Sequence, residues 1–286
     1  MKKTLVIDAK SLKEKEIVRL PNEVTEISNN INRKPCLTIV KCSNDKASEN
    51  YIKNKVKLGE EVGIEVLVEE LNETTTQSEL EELIIALNEC DNIDGIIVQL
   101  PLFSHLNPNC TNLVDPMKDA DCFTVERLGQ MIQGNSKIQS CTPKGVLNLL
   151  DEHMVEVEGK NVTVIGRSTH VGQSLSMLLT QRGATVTTCH SKTKELEYHL
   201  RNSDIVISCV GRMNLIEPYM MKKDSVIIGV GITVDNNFKQ QTDYNVEEMK
   251  ENSECKFVGN RISCTGTATV LALLDNTIEL CKERCL

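Results

Sequence analysis

Two side chains in "SENYIKNKVKLGEEVGIEV", residues 48–66, could do chemistry together. Ile52, Val56, Leu58 and Val62 recur at helical spacing, so the stretch reads as one amphipathic helix. Tyr51 and Lys55 lie four residues apart, on the same face of that helix. A phenol and an amine so placed can move protons if the amine is desolvated or set beside another cation. An exposed Lys stays protonated at neutral pH. On a solvated face the same pair would be plain surface.

A second candidate is "NVTVIGRSTHVGQSLSMLL", residues 161–179, a strand, a Gly-containing turn and a helix. The backbone N–H groups and positive dipole end of such a helix suit a phosphate. The glycines are Gly166 and Gly172, which is not the G-x-G-x-x-G spacing, and such a corner also serves simply as a packing device. The next strand, "ATVTTCH", ends where a dinucleotide fold places its ribose-reading residue. An NAD enzyme wants an acid there. Here the segment is "CHSKT", with Ser191 and Lys192, and Arg167 stands in the turn itself. Donors and a cation suit a 2′-phosphate, so NADP fits better than NAD.

The elements that must position these groups alternate along the chain. "CLTIV" (36–40), "IEVLVE" (64–69) and "IDGIIVQL" (93–100) read as strands, separated by the Tyr51/Lys55 helix and by "QSELEELIIALNE" (77–89). This order implies a parallel sheet covered by helices. Residues 101 to about 140 read as one long irregular stretch, of the kind that is often functional. "TPKGVLNLLDEH" then opens a helix, with Thr142 as N-cap and Pro143 in the first turn. After residue 160 the alternation resumes with strands "NVTVIG", "ATVTTCH", "DIVISCVG" and "DSVIIGVGI", and "TATVLALLDNTIELCKE" closes the chain as a helix. The expectation is an α/β protein of two domains. Residues 1–143 with the returning helix 267–286 form one, and residues 144–266 form a Rossmann-type parallel-sheet nucleotide domain.

The bulk numbers narrow the function classes. The 286 residues carry a formal net charge of −9 and no Trp. This argues against a general nucleic-acid binder, which needs a basic face. The twelve cysteines form no C-x-x-C pair, and they read as reduced thiols of a cytoplasmic protein. The five histidines show no metal spacing, so no metal is expected. The start "MKKTLVIDAK" does not read as a signal peptide, so none is expected, and no apolar run approaches the ~18 residues of a membrane span.

Taken together, "YIKNKVKLGEEVGI", "DGIIVQLPL", "KDADCF", "CTPKGVLNLL", "VTVIGRSTHVGQSLSMLL", "ATVTTCHSKT", "DIVISCVG" and "LLDNTIEL" resemble, in order and over nearly the whole chain, the bifunctional methylenetetrahydrofolate dehydrogenase/methenyltetrahydrofolate cyclohydrolase family. The resemblance implies an N-terminal folate-site domain, an NADP-binding Rossmann domain, an active site in a cleft between them, and a homodimer. It implies that Tyr51 and Lys55 face the folate, that Gln99 contacts Lys55, and that Asp121 binds the polar edge of the pterin. Val98, Leu100 and Pro101 would line the folate site. Gly166, Arg167, Ser168, Val171, Gly172, His190, Ser191, Cys209, Val210, Gly211, Ile232 and Thr269 would contact the dinucleotide. The expected reactions are oxidation of 5,10-methylenetetrahydrofolate with NADP and hydrolysis of the methenyl product to 10-formyltetrahydrofolate.

Several segments depart from the family. Its "PGGVGPMT" loop reads "ISCTGTAT" here (262–269), "VGDDPAS" reads "VKCSNDKAS", "DGFHPxNxG" reads "DCFTVERLG", and "VIDVG" reads "IIGVG" with Gly229 in place of an Asp. Lost glycines put side chains where backbone passed close to ligand. The alternative is therefore a divergent paralogue that binds folate or NADP with one or both activities lost. A short-chain dehydrogenase also uses Tyr and Lys four apart, but there the nucleotide turn precedes the Tyr. Here it follows by more than a hundred residues.

Overall fold

The computed structural model describes residues 4–234, 240–260 and 263–285. In chain order its elements are β1 (Leu5–Ile7), α1 (Lys10–Ile31), β2 (Cys36–Lys41), α2 (Lys46–Val62), β3 (Glu65–Glu70), α3 (Gln77–Glu89), β4 (Gly95–Gln99), α4 (Val125–Ile132) and α5 (Cys141–Glu152). There follow β5 (Asn161–Ile165), α6 (Ser174–Gln181), β6 (Thr185–Cys189), α7 (Leu196–Arg201), β7 (Ile205–Ser208) and β8 (Val226–Gly229). The last are β9 (Thr233–Val234), β10 (Gln240–Gln241), α8 (Val246–Asn252), β11 (Phe257–Gly259) and α9 (Ser263–Cys285). Two compact units result, Met1–Lys13 with Thr142–Thr269, and Glu14–Cys141 with Val270–Leu286.

The second of these units holds a parallel three-stranded sheet in the order β3-β2-β4. Every residue of the central strand β2 is buried, whereas the edge strand β3 is largely exposed. Cys36, Val40, Leu80, Ile84, Ile96 and Val98 pack together between the sheet and α3. Successive strands lie on opposite sides of β2, so the strand order reverses between β2 and β4. In open α/β sheets, ligands bind at the carboxyl ends of the strands flanking such a reversal. Lys41 and Gln99 are paired at those ends.

The other unit holds six parallel strands in the order β1-β11-β8-β7-β5-β6. Here the reversal falls between β5 and β7, the place where a doubly wound fold receives a dinucleotide. Ile165, Cys189, Val206, Ile227, Met249 and Val258 form its core.

The structure differs from the sequence expectation at several points. β1 pairs with β11, so residues up to Lys13 group with the six-stranded sheet and not with residues 14–141. A three-residue strand carries too little pattern to be recognised alone. The stretch 101–140 is not wholly irregular, since it contains 3-10 turns at Pro108–Leu113 and Pro116–Lys118 and the helix α4. α5 begins at Cys141, one residue ahead of Thr142, which is thus inside the first turn and is not the N-cap. The segment 262–269 is no loop from Ser263 onward, because α9 starts there; Ile262 lies outside the described residues.

Candidate active site

The helix bearing the Tyr–Lys pair is well specified by its ends. The Asp45 side chain caps α2 by accepting from the Ser48 N–H, and Gly63 ends it at φ +91°. Ile52, Leu58 and Val62 are buried on one stripe, and Lys55 falls on that same stripe, only 3 % exposed. An amine thus occupies a core position. Its Nζ donates to Gln99 Oε1 at 2.8 Å and lies 4.8 Å from the centroid of the Tyr51 ring. The Gln99 amide nitrogen in turn donates to the Leu100 carbonyl at 2.7 Å, which fixes Oε1 toward the lysine.

Burial drives the Lys55 pKa below the ordinary lysine value, and the charges of Asp121 and Cys141 partly oppose that shift. Gln99 is a neutral acceptor that both the ammonium and the free amine can satisfy. The arrangement is therefore that of a base held ready in a dry setting, with a phenol face against it and a carboxylate within electrostatic reach. Val98 is buried beside Gln99 on β4, while Leu100 and Pro101 follow at the strand's end through a cis peptide bond.

Asp121 is carried by a loop pinned at three places. The Ala120 N–H donates to Ile96 O on β4, and the buried Asp119 carboxylate accepts from the Phe123 and Thr124 amides. Lys118, 2 % exposed, donates from Nζ to the carbonyls of Leu87, Asn88 and Cys90 at the end of α3. Where the family has Gly-x-His-Pro, this chain has Cys122 at φ +56° and Thr124 as the N-cap of α4. Sequence reasoning gave Cys141 no role beyond that of a reduced thiol and missed Lys118. Both stand in quoted motifs, "CTPKG" and "KDAD", but only tertiary contact reveals their partners. Cys141 Sγ donates to Ala120 O and accepts from Asn276, in the same unit as Lys55.

The nucleotide candidates gather at the carboxyl ends of β5, β6 and β7. The Gly166 N–H bonds to Cys189 O and the Cys209 N–H to Ile165 O, which ties the three strand ends together. Gly166 has φ +122°, and a Cβ on Gly172 would run into the Gly166 carbonyl, so both positions require glycine. Ser168 Oγ accepts from the Gly172 N–H at the head of a π turn, Thr169–Gln173, that leads into α6 and contains Val171. Ile165 pairs with Cys189 across β5 and β6, and Arg167 and Ser191 follow these partners by two residues each, both exposed. His190 Nδ1 accepts from the Lys192 N–H. Cys209, Val210 and Gly211 leave β7, and a Cβ on Gly211 would press on Ile232 O, so Ile232 belongs to the same group. Thr269 is buried within α9 and donates to Thr265 O. The close glycine turn and the cation beside a second donor fit a 2′-phosphorylated dinucleotide.

Among the described residues Asp94, Cys281 and Cys285 come close enough to share a metal ion. The Asp94 oxygens, however, already accept from Arg33, Arg284 and the Cys36 N–H. Their lone pairs are committed to those donors.

Comparison with known proteins matches both halves of the chain. Residues 7–121 match the catalytic domain, and residues 140–285 the NAD(P)-binding domain, of the tetrahydrofolate dehydrogenase/cyclohydrolase family. The bifunctional protein FolD of Thermodesulfovibrio yellowstonii is 39% identical over 279 residues, 97% of this chain and 96% of that protein. The crystal structure of the bifunctional FolD enzyme of Campylobacter jejuni superposes with a TM-score of 0.93 at 33% identity, covering 98% of this chain and 99% of that one. A Trypanosoma brucei dehydrogenase-cyclohydrolase, complexed with NADP and an inhibitor, also gives 0.93 at 30% identity, with 99% of each chain covered. With both domain matches in order and nearly full-length similarity, the chain belongs to the tetrahydrofolate dehydrogenase/cyclohydrolase family.

Proposed function

We propose that this chain oxidises 5,10-methylenetetrahydrofolate to the 5,10-methenyl form with NADP+ and hydrolyses that product to 10-formyltetrahydrofolate. The observation that carries the proposal is the buried Lys55 amine, hydrogen-bonded to neutral Gln99 and lowered in pKa by burial. The T. brucei relative's complex with NADP supports the choice of cofactor.

Bound NADP+ supplies the hydride acceptor of the first step. Gly166 and Gly172 allow the close turn on which the Ser168 hydroxyl would donate to its phosphates, and Arg167 with Ser191 would hold the 2′-phosphate. In the second step water adds to the methenyl carbon, and the ring opens by loss of the carbon–nitrogen bond on the N5 side. Lys55 Nζ takes a proton from the attacking water and gives it to N5 as the carbon–nitrogen bond breaks, while the remaining hydroxyl proton leaves to solvent as the formyl carbonyl forms, so that one proton is released overall. Tyr51 holds the amine in place through its ring face, and Gln99, its amide nitrogen bound to the Leu100 carbonyl, keeps Oε1 on the amine as a neutral acceptor. Asp121 accepts from the amino and N–H groups of the pterin and stays out of the bond making.

The homodimer and the cytoplasmic setting belong to the same proposal, as does the lack of nucleic-acid partners in a chain of net charge −9. No helix of the described residues is long and apolar enough to cross a membrane. A binding paralogue would have little use for a desolvated amine, so retention of Lys55 favours an enzyme. Two spectroscopic assays decide: loss of the methenyl chromophore above the uncatalysed rate, and product formation from the methylene compound with NADP+ or NAD+. Activity in both supports the bifunctional reading. Silence in both, from folded protein, supports the paralogue.

A further inference from the structure

Asp243 lies just beyond β10, outside every motif that pointed to the nucleotide, and it is fully buried. Its carboxylate takes up the exit of β7. Oδ2 accepts from Ser208 Oγ at 2.6 Å and from the Val210 N–H at 3.3 Å, and Oδ1 accepts from the Arg212 N–H at 2.5 Å. Its main-chain carbonyl accepts from the N–H groups of Leu215 and Ile216. One residue thus holds both ends of the loop 209–214.

The exit of β8 rests on the same residue. A Cβ on Gly231 would meet Asp243 Oδ2 at 2.8 Å and would overlap the Gly211 nitrogen. The β7 and β8 exits therefore meet backbone to backbone, with the carboxylate beneath them. Asp243 is itself held. Thr242 Oγ1 donates to Tyr244 O, and the buried Tyr244 hydroxyl donates to Gly259 O at the end of β11. Both carboxylate oxygens act only as acceptors, and the donors that reach them are neutral.

We infer that Asp243 is the positioning residue of the dinucleotide site, fixing Cys209, Val210 and Gly211 on one loop and Ile232 on the other in the conformation that receives NADP+. The inference rests on the placement of the dinucleotide proposed above. An orphaned buried N–H is costly, so a side chain that loses one acceptor must release part of the loop.

The test is Asp243→Asn, which keeps the shape and turns one acceptor oxygen into a donor. Titration calorimetry with NADP+ should give a Kd raised by about tenfold or more. Hydrolysis of methenyltetrahydrofolate, which needs no hydride acceptor, should keep its kcat and KM within about twofold. An unchanged Kd overturns the inference, and so does a parallel fall of hydrolysis in a variant with parental circular dichroism. If Asp243→Asn does not fold, Ser208→Ala removes a single donor. It should raise the Kd by about threefold with hydrolysis spared, and an unchanged Kd there overturns the inference as well. A parent chain that binds no NADP+ would instead sink the placement of the dinucleotide.

Discussion

Lys55 Nζ and Gln99 Oε1 meet at 2.8 Å although 44 residues separate them in the chain. The pair joins the helix after β2 to the end of β4, so the amine sits at the strand-order reversal of its sheet. Lys55→Met should lower methenyl hydrolysis by at least about 10²-fold while NADP+ binding stays as in the parent. Chromophore decay and calorimetry measure the two. Hydrolysis at the parental rate would remove Lys55 from the reaction.

The depressed pKa of Lys55 gives a pH dependence with a definite sign. The hydrolysis rate at saturating substrate should rise with pH along a limb whose midpoint lies below the usual 10.5 of lysine. Asp121 opposes the shift, so Asp121→Asn should move that limb to lower pH. For stability, the folded pKa lies below the unfolded one, so the unfolded chain binds more protons between the two. The cost of burying the ammonium is thus fully present below the folded pKa and disappears above 10.5. Lys55→Met should unfold at higher temperature than the parent at neutral pH, with the gap closing as pH rises. A constant gap would contradict this account.

Arg167 and Ser191 follow paired residues on β5 and β6. Arg167→Ala should raise the Kd for NADP+ by about tenfold, the worth of one charge-assisted hydrogen bond, and leave that for NAD+ nearly unchanged. Equal losses for both dinucleotides would place Arg167 away from the 2′-phosphate.

Lys118 caps α3 from inside the protein through its bonds to three carbonyls. Lys118→Met leaves those acceptors buried and should cost about 2–3 kcal/mol in urea unfolding. Because Asp121 stands three residues on, the KM for methenyltetrahydrofolate should rise more than kcat falls. A variant as stable as the parent would show that solvent replaces the ammonium at no cost.

All twelve cysteines are free thiols, and Cys285 alone is exposed. Burial pushes the Cys122 thiol up to about 12 and likewise Cys209, where the Asp243 charge adds to the effect. A thiol reagent at neutral pH should label Cys285 first, and the full set only after denaturation. Fast labelling at Cys122 would contradict its packing.

The sequence made α2 legible because its apolar stripe is local, and the same holds for the glycine turn after β5; the Asp45 cap that starts α2 came only with the structure. β1 and α1 escaped notice: the strand is three residues long, and α1 contains Pro21, which ordinarily interrupts a helical pattern. Lys55 could be picked out by its spacing to Tyr51, but that it is buried follows only from the packing of α2 against the sheet. Asp243 was invisible, since its three side-chain partners lie 31 to 35 residues away and none forms a motif with it. Residues 263–266 were expected to loop like their counterpart in the family, ahead of a helix from Thr267. Here these residues, with a single glycine at 266, form helix instead.

β4 sets two parts of the proposed folate site at once. Gln99 ends the strand, and Ile96 within it bridges to Asp119 and receives the Ala120 amide, two residues and one residue ahead of Asp121. Side chains alternate along a strand, so one added or deleted residue reverses the faces of all that follow. Single substitutions in 95–98 would be absorbed as ordinary changes of volume, but an insertion or deletion there would displace the lysine's partner or the pterin's acceptor. Among chains descended from a common ancestor with this one, the length of this segment should therefore be held fixed even where its letters drift.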